Sequence, residues 1–276
     1  MKAYQIPLLF IALVFLILSG CSNLTQKTNS SSTKTIKLGA TSGPYSDQIK
    51  EAIKPYLEKK GYKVELIEFN DYVQPNISLD QGSIDANVFQ NEIYMKNFAK
   101  TKHMKLYEVI KIPTAPIGVY SKKHKSLDEM KDGTTIALPN EPVNQARALA
   151  MMEKLGLIQL RKGIDPTKVS EKDIQKYNKK IVLKPLEPAQ LPRALGDVDY
   201  AFINGNFAIS SGLKLKDAVA LEKTPSYYLN GVTVRKKDKN AKFVKDIVAA
   251  YKSEEFKKLI KEDEEYKGYV WPDWFK

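Results

Sequence analysis

From residue 35 onward, short β-prone runs alternate with amphipathic helical stretches, and this rhythm restricts the chain to an α/β architecture. Thr35 to Thr41 reads as a strand. Pro44 to Lys60 follows with Ile49, Ile53, Tyr56 and Leu57 at helical spacing, and it stops at Gly61. Tyr62 to Phe69 alternates apolar and charged side chains as a strand does. Ile84 to Phe89 predicts another strand and Glu92 to Lys100 a helix. Leu106 to Ile112 and Pro116 to Ser121 read as consecutive strands broken at Pro113. Thr134 to Leu138 leads into the amphipathic helix Pro142 to Leu155, stopped by Gly156. Ile181 to Leu186, Gln190 to Leu195 and Tyr200 to Asn204 repeat strand, helix, strand. Asn230 to Val234 is a last strand before two Lys/Glu-rich helices near Lys242 to Lys252 and Glu254 to Asp263. Strands spaced by helices predict largely parallel sheets. No repeat of fixed period is present.

The amino-terminal segment has a different character. An apolar run from Ile6 to Leu18 ends in Leu18-Ser19-Gly20-Cys21. It is short for a bilayer span and closes in small residues, as a secretory signal does. Cys21 is the only cysteine of the chain, so no disulfide supports the fold, and stability must come from a packed core. Leu-Ser-Gly-Cys resembles a bacterial lipobox, whose cysteine is acylated and becomes the mature amino terminus. The expected division is a signal peptide over 1–20 and a lipid-anchored flexible tether over 21–35. The tether reading follows from Ser, Thr and Asn with too little apolar surface to bury. The net charge of +12 is that of a Lys-rich solvated surface near anionic lipid or wall polymer. Basic residues are not interleaved with aromatics at regular spacing, and export argues against nucleic acid as a partner.

Catalytic signatures are missing. His103 and His124 are the only histidines and sit in the Lys-rich contexts TKHMK and SKKHKS, which predicts solvated surface positions. Metal-ligand spacing, a nucleophile elbow and a phosphate-binding glycine loop are all absent from the sequence. Ser42 and Ser46 lack a neighbouring base, and Ser42-Gly43-Pro44 reads as a strand-to-helix turn. The expectation is a protein without catalytic residues, metal or cofactor.

Polar and aromatic residues instead gather where predicted strands end. Phe69 to Asn76, Ile84 to Asn91 with Tyr94 one turn on, Leu138 to Arg147, Phe202 to Phe207 and Tyr227 to Gly231 all lie at such ends. Ligands of open α/β sheets bind at the carboxyl ends of strands. Aromatic rings there can wall an apolar pocket, and amides with one guanidinium can fix a small zwitterion. Taken singly, each of these residues is equally compatible with rim packing, turn chemistry or a surface ion pair.

These stretches carry a resemblance. DYVQPN, five residues, then GSIDANVFQ with Tyr94 beyond it, resembles the signature of the methionine-binding lipoproteins of the MetQ/NlpA family. The run from Ser121 to Leu149, QLPRAL from Gln190 and AFINGNFA from Ala201 are similar to further family stretches, so the resemblance spans about residue 36 to the final helices. It implies a two-lobed periplasmic-binding-protein fold of the second class with the ligand in a cleft between the lobes. The first lobe would hold 36–115 and 229–276, the second 116–228. It also implies a monomer that captures L- or D-methionine, or a small methionine-containing peptide. The protein would deliver this ligand to an ABC permease and its ATP-binding subunit. Position by position, Tyr72, Phe89 and Tyr94 match pocket aromatics, Arg147 the arginine on the ligand carboxylate, and Asn144, Asn204 and Asn230 polar positions around the head group. Asn91 stands where many members have His, which leaves the exact ligand open. Two rivals remain: a cleft hydrolase, and a surface adhesin lipoprotein.

Overall fold

A computed structural model describes residues 34–275 of the chain. The expected signal peptide, Cys21 and all of the tether up to Thr33 lie outside the described residues. Strand β1 already begins at Thr35, so the last residue assigned to the tether is part of a sheet.

In chain order the first half runs β1 (Thr35–Thr41), α1 (Pro44–Gln48), a π-helical stretch over Ile49–Ile53, α2 (Lys54–Lys59) and β2 (Lys63–Phe69). It continues with α3 (Gln74–Asp80), β3 (Ala86–Asn91), α4 (Glu92–Thr101), β4 (Leu106–Lys111), β5 (Gly118–Tyr120), β6 (Thr135–Pro139) and α5 (Pro142–Lys154). The second half runs β7 (Ile158–Leu160), β8 (Ile174–Tyr177), β9 (Val182–Leu186), α6 (Leu191–Ala194), β10 (Tyr200–Ile203), α7 (Gly205–Ser210), β11 (Ala220–Leu221), β12 (Asn230–Arg235), α8 (Lys242–Tyr251) and α9 (Glu254–Glu262).

Two five-stranded sheets organise these elements, in the orders β2-β1-β3-β12-β4 and β11-β5-β10-β6-β9. The chain leaves the first sheet after β4, builds the second, and returns through the segment between β11 and β12. The expectation of largely parallel sheets is corrected here. Strands β1, β2 and β3 are mutually parallel, but β12 runs antiparallel to both β3 and β4. In the second sheet β6 is parallel to β9 and β10, whereas β5 is antiparallel to β10 and β11. The reason is topological. β4 and β5 are joined by a short segment that changes sheets, and β12 returns from the other sheet, so neither follows the right-handed helical crossover that enforces parallel pairing. The consecutive strands β4 and β5 accordingly lie in different sheets.

Each sheet has its own core. Ile36, Leu38, Val64, Val88, Val232 and Val234 of the first pack with Ile49, Ile53, Leu57, Ile247 and Phe256 from its helices. Ile117, Val119, Ile136, Leu138 and Phe202 of the second pack with Leu149 and Met152 of α5. A third cluster joins residues from both, with Tyr72, Phe89 and Tyr94 from the first side and Ile203, Phe207, Leu191 and Tyr228 from the second. His103 is exposed, as the sequence suggests. His124 is not simply solvated: it stacks on Tyr200 at 5.1 Å and lies beside Glu129 and Asp199.

Candidate functional site

The carboxyl ends of β1, β2, β3, β6 and β10 and the start of β12 face one narrow internal space. It is lined by Tyr45, Tyr72, Phe89, Gln90, Asn91, Tyr94 and Asn230 from the first sheet's side, and by Asn144, Arg147, Asn204, Gly205 and Asn206 from the second's, with Ala115 between them.

The aromatic wall is built by local geometry. Phe89 lies on β3, and Tyr94 one turn into α4, whose start is fixed by Asn91: its Oδ1 accepts from the Tyr94 N–H at 2.9 Å. Tyr72 lies in the turn after β2, where the Asp71 carboxylate accepts from the N–H groups of Val73 and Gln74. The rings of Tyr72, Phe89 and Tyr94 stand 5.7 to 6.0 Å apart in tilted and edge-on pairs, a favourable aromatic range. The Tyr94 hydroxyl donates to the Tyr72 carbonyl. Beneath them Asn76, Asn87 and Gln90 form a buried amide cluster, in which Asn76 and Gln90 exchange two hydrogen bonds at 2.8 and 2.6 Å. Buried amides fully engaged with one another hold β3 and α3 in one arrangement.

The polar wall comes from α5 and α7. Pro142 starts α5, and the Glu141 carboxylate caps it by accepting from the N–H groups of Val143 and Asn144. The same carboxylate accepts from Asn144 Nδ2, and Asn144 Oδ1 accepts from Asn204 Nδ2 at 2.9 Å. Burial raises the Glu141 carboxyl, with these hydrogen bonds opposing the rise. Gly205 begins α7 where a side chain does not fit: a Cβ there would lie 2.5 Å from both the Ala115 Cβ and the Pro116 carbonyl. On the other wall Asn230 Nδ2 donates to the Phe89 carbonyl.

Arg147 is 4% exposed and makes a bidentate pair with Glu222, Nε to Oε1 at 2.7 Å and Nη2 to Oε2 at 2.5 Å. Its guanidinium also lies 5.0 Å from the centre of the Tyr228 ring. Burial alone would raise the Glu222 carboxyl, but the charge and hydrogen bonds of Arg147 bring it below its ordinary value. Side chains meet across the space as well. The Tyr72 hydroxyl donates to Asn206 Oδ1 at 2.6 Å, and its ring lies 4.8 Å from Phe207. Burial pushes the phenol of Tyr72 far up and that of Tyr45 to about 12, so both are neutral donors.

Comparison with known proteins places this arrangement. The sequence model of the NlpA lipoprotein family matches residues 36–274. The chain belongs to the NlpA lipoprotein family. It is 41% identical over 245 residues to the D-methionine-binding lipoprotein MetQ of Salmonella typhi, covering 87% of this chain and 88% of that one. Among solved structures it is similar to a nutrient binding protein from Burkholderia cenocepacia bound to methionine. There the TM-score is 0.80 at 43% identity, over 84% of this chain and 97% of that one. It is also similar to a periplasmic substrate-binding protein of an ABC transporter from Coxiella burnetii. There the TM-score is 0.81 at 37% identity, over 86% of this chain and all of the other. The fold of this NlpA-family chain is therefore α/β and two-lobed, of the periplasmic-binding-protein type, with its cleft between the lobes.

All eight residues singled out in the sequence, Tyr72, Phe89, Asn91, Tyr94, Asn144, Arg147, Asn204 and Asn230, line the one space. Sequence reasoning missed Tyr45, Gln90, Asn206 and above all Glu222. Tyr45 directly follows the Ser42-Gly43-Pro44 turn, and Gln90 and Asn206 lie inside stretches already flagged, so strand-end position marked all three. Glu222 stands in LEKTP after a two-residue strand, and no local pattern marks it as the partner of Arg147.

Proposed function

We propose that this cavity binds one molecule of free methionine and that the protein is the substrate-binding component of an ABC importer. The observation that carries the reading is the meeting of two unlike walls: three aromatic rings against a buried guanidinium set among amides. The rings suit a thioether, each contact contributing roughly 0.3–1.5 kcal/mol. Arg147 and the Asn144–Asn204 pair suit a carboxylate and an ammonium on adjacent atoms. The names of the relatives support the same ligand.

Binding rather than catalysis is the reading for the cleft. Its lining carries no Ser, Cys, His, Asp, Glu or Lys, and its tyrosines are held neutral. Residues 36–115 with 229–276 and residues 116–228 act as the two closing lobes, hinged at the segments after β4 and before β12. Ligand contacts from both sides favour the closed form, which a permease and its ATP-binding subunit then recognise. Acylated Cys21 holds the monomeric protein at the outer face of the membrane, consistent with the lipoprotein relatives.

Mass spectrometry tests both parts. Protein purified from its native membrane and denatured should release methionine at about one equivalent. Its intact mass should be that of a chain beginning at a diacylated Cys21. Release of a peptide or of no amino acid would overturn the ligand, and an unmodified Cys21 would overturn the anchor.

A further inference from the structure

We infer that Glu222 is a specificity-determining residue: by neutralising Arg147 it makes the site select net-neutral zwitterions over anions that share the methionine side chain. The inference rests on the methionine reading above.

The pair is a built feature. The Glu222 side chain is 6% exposed and that of Arg147 4%, and two charge-assisted bonds join them. The carboxylate is fixed from behind, since the Thr224 hydroxyl donates to its Oε2 at 2.6 Å and the Ile117 N–H approaches the same oxygen at 3.4 Å. Glu222 does not line the cavity; it acts through Arg147. A lone buried guanidinium would draw in any anion, because an uncompensated charge in a low-dielectric interior is costly. With Glu222 in place the pair carries no net charge before any ligand arrives. A ligand with net charge then brings an unbalanced charge into the interior, whereas a zwitterion does not.

Geometry acts in the same direction. Glu222 occupies the Nε–Nη2 edge of the fork, the side-on face that a carboxylate otherwise grips with two parallel bonds. A ligand carboxylate must use the remaining N–H groups at the Nη1 end. Beside it Asn204 Oδ1 is buried without a partner, an acceptor for an ammonium, while the Asn204 amide nitrogen is held through Asn144 to the half-buried Glu141 carboxylate. Arg147 and Asn204 Oδ1 thus offer separate places for the two ends of a zwitterion.

The test uses three probes of nearly one shape: methionine, its 2-hydroxy analogue as the monoanion, and methioninamide as the cation. Each is titrated calorimetrically into the wild-type protein, Glu222→Gln and Glu222→Asp. In Glu222→Gln the affinity of the hydroxy analogue relative to methionine should rise about tenfold, and that of methioninamide should fall further, because the arginine charge is released. Glu222→Asp keeps the charge and shortens the reach, so it should weaken all three probes while preserving the wild-type order. A folded Glu222→Gln with unchanged ratios overturns the inference, as does an altered order in Glu222→Asp, which remains decisive should Glu222→Gln not fold. Wild-type protein that binds none of the three overturns the ligand reading itself, and this inference with it.

Discussion

At the scale of the residue, most polar atoms of the site are engaged with one another, while Asn204 Oδ1 is buried without a partner; Glu108 shows an unpartnered atom away from the site. It lies on β4 with Oε2 buried and unpartnered, and its carbon chain lies against Gly231 of β12. Burial raises its carboxyl from 4.5 to about 7; Lys111 and Lys96 oppose the rise and Glu92 adds to it. The folded state therefore holds a proton that the unfolded state has lost. Stability attributable to this group falls as pH rises from the unfolded value through the folded one, and the penalty is complete above it. Glu108→Gln should raise the melting temperature at about pH 8 and leave it nearly unchanged at about pH 3.5, below both values, where both states are protonated. Equal effects at both values would show that Glu108 is paired in solution. Nothing in the sequence marks this residue, since LYEVIK reads as an ordinary strand. By contrast the stretches that hold the eight cavity residues were legible because strand ends are marked by turn chemistry and aromatics, and the family resemblance singled out the eight within them. Arg147 was legible and Glu222 was not, since a pairing across 75 positions leaves no local trace.

At the scale of the element, helix starts set the cavity, and they were partly legible. Pro142 after Glu141 announced α5, and the Glu141 carboxylate caps it as an N-terminal acid should. Helix α3 was not foreseen, because Gln74 to Asp80 is short and shows no apolar period; its place is set by the amide cluster beneath it. The hairpin of β7 and β8 was missed for the same reason, being three and four residues long. Asn91 has two roles that mutation can separate. As the cap of α4 it should cost about 1 kcal/mol of stability when changed to Ala, and little when changed to Ser. As a cavity residue it should cost methionine affinity in both variants. Chemical denaturation and calorimetry on the two proteins measure this. If Asn91→Ser binds methionine as the wild type does, Asn91 is a cap only, and its difference from the family His has no bearing on the ligand.

At the scale of the whole molecule, the two sheets are joined by two chain crossings and, across the cavity, by Tyr72 and Asn206. That bond and the ring contact of Tyr72 with Phe207 favour the closed arrangement. Tyr72→Phe keeps the ring and removes the hydroxyl, leaving Asn206 Oδ1 without its donor, a loss of about 1 kcal/mol from the closed form. Methionine affinity should fall severalfold, and the radius of gyration of the unliganded protein in solution scattering should increase. No change in either would place the closing energy elsewhere. The α/β class was legible from alternating elements, and the two-lobed architecture from the family resemblance, with which the Pro113–Pro116 break agrees. The antiparallel members were not, because strand direction depends on where the chain changes sheets. On the function proposed above, Arg147 holds the carboxylate of a methionine bound in this cavity. Calorimetric titration of L- and D-methionine into wild-type protein and Arg147→Ala tests it most directly. The wild type should bind at least one enantiomer one to one, and folded Arg147→Ala should lose roughly 2–5 kcal/mol of that affinity. A wild type that binds neither enantiomer, or an Arg147→Ala protein that binds as tightly, would contradict it.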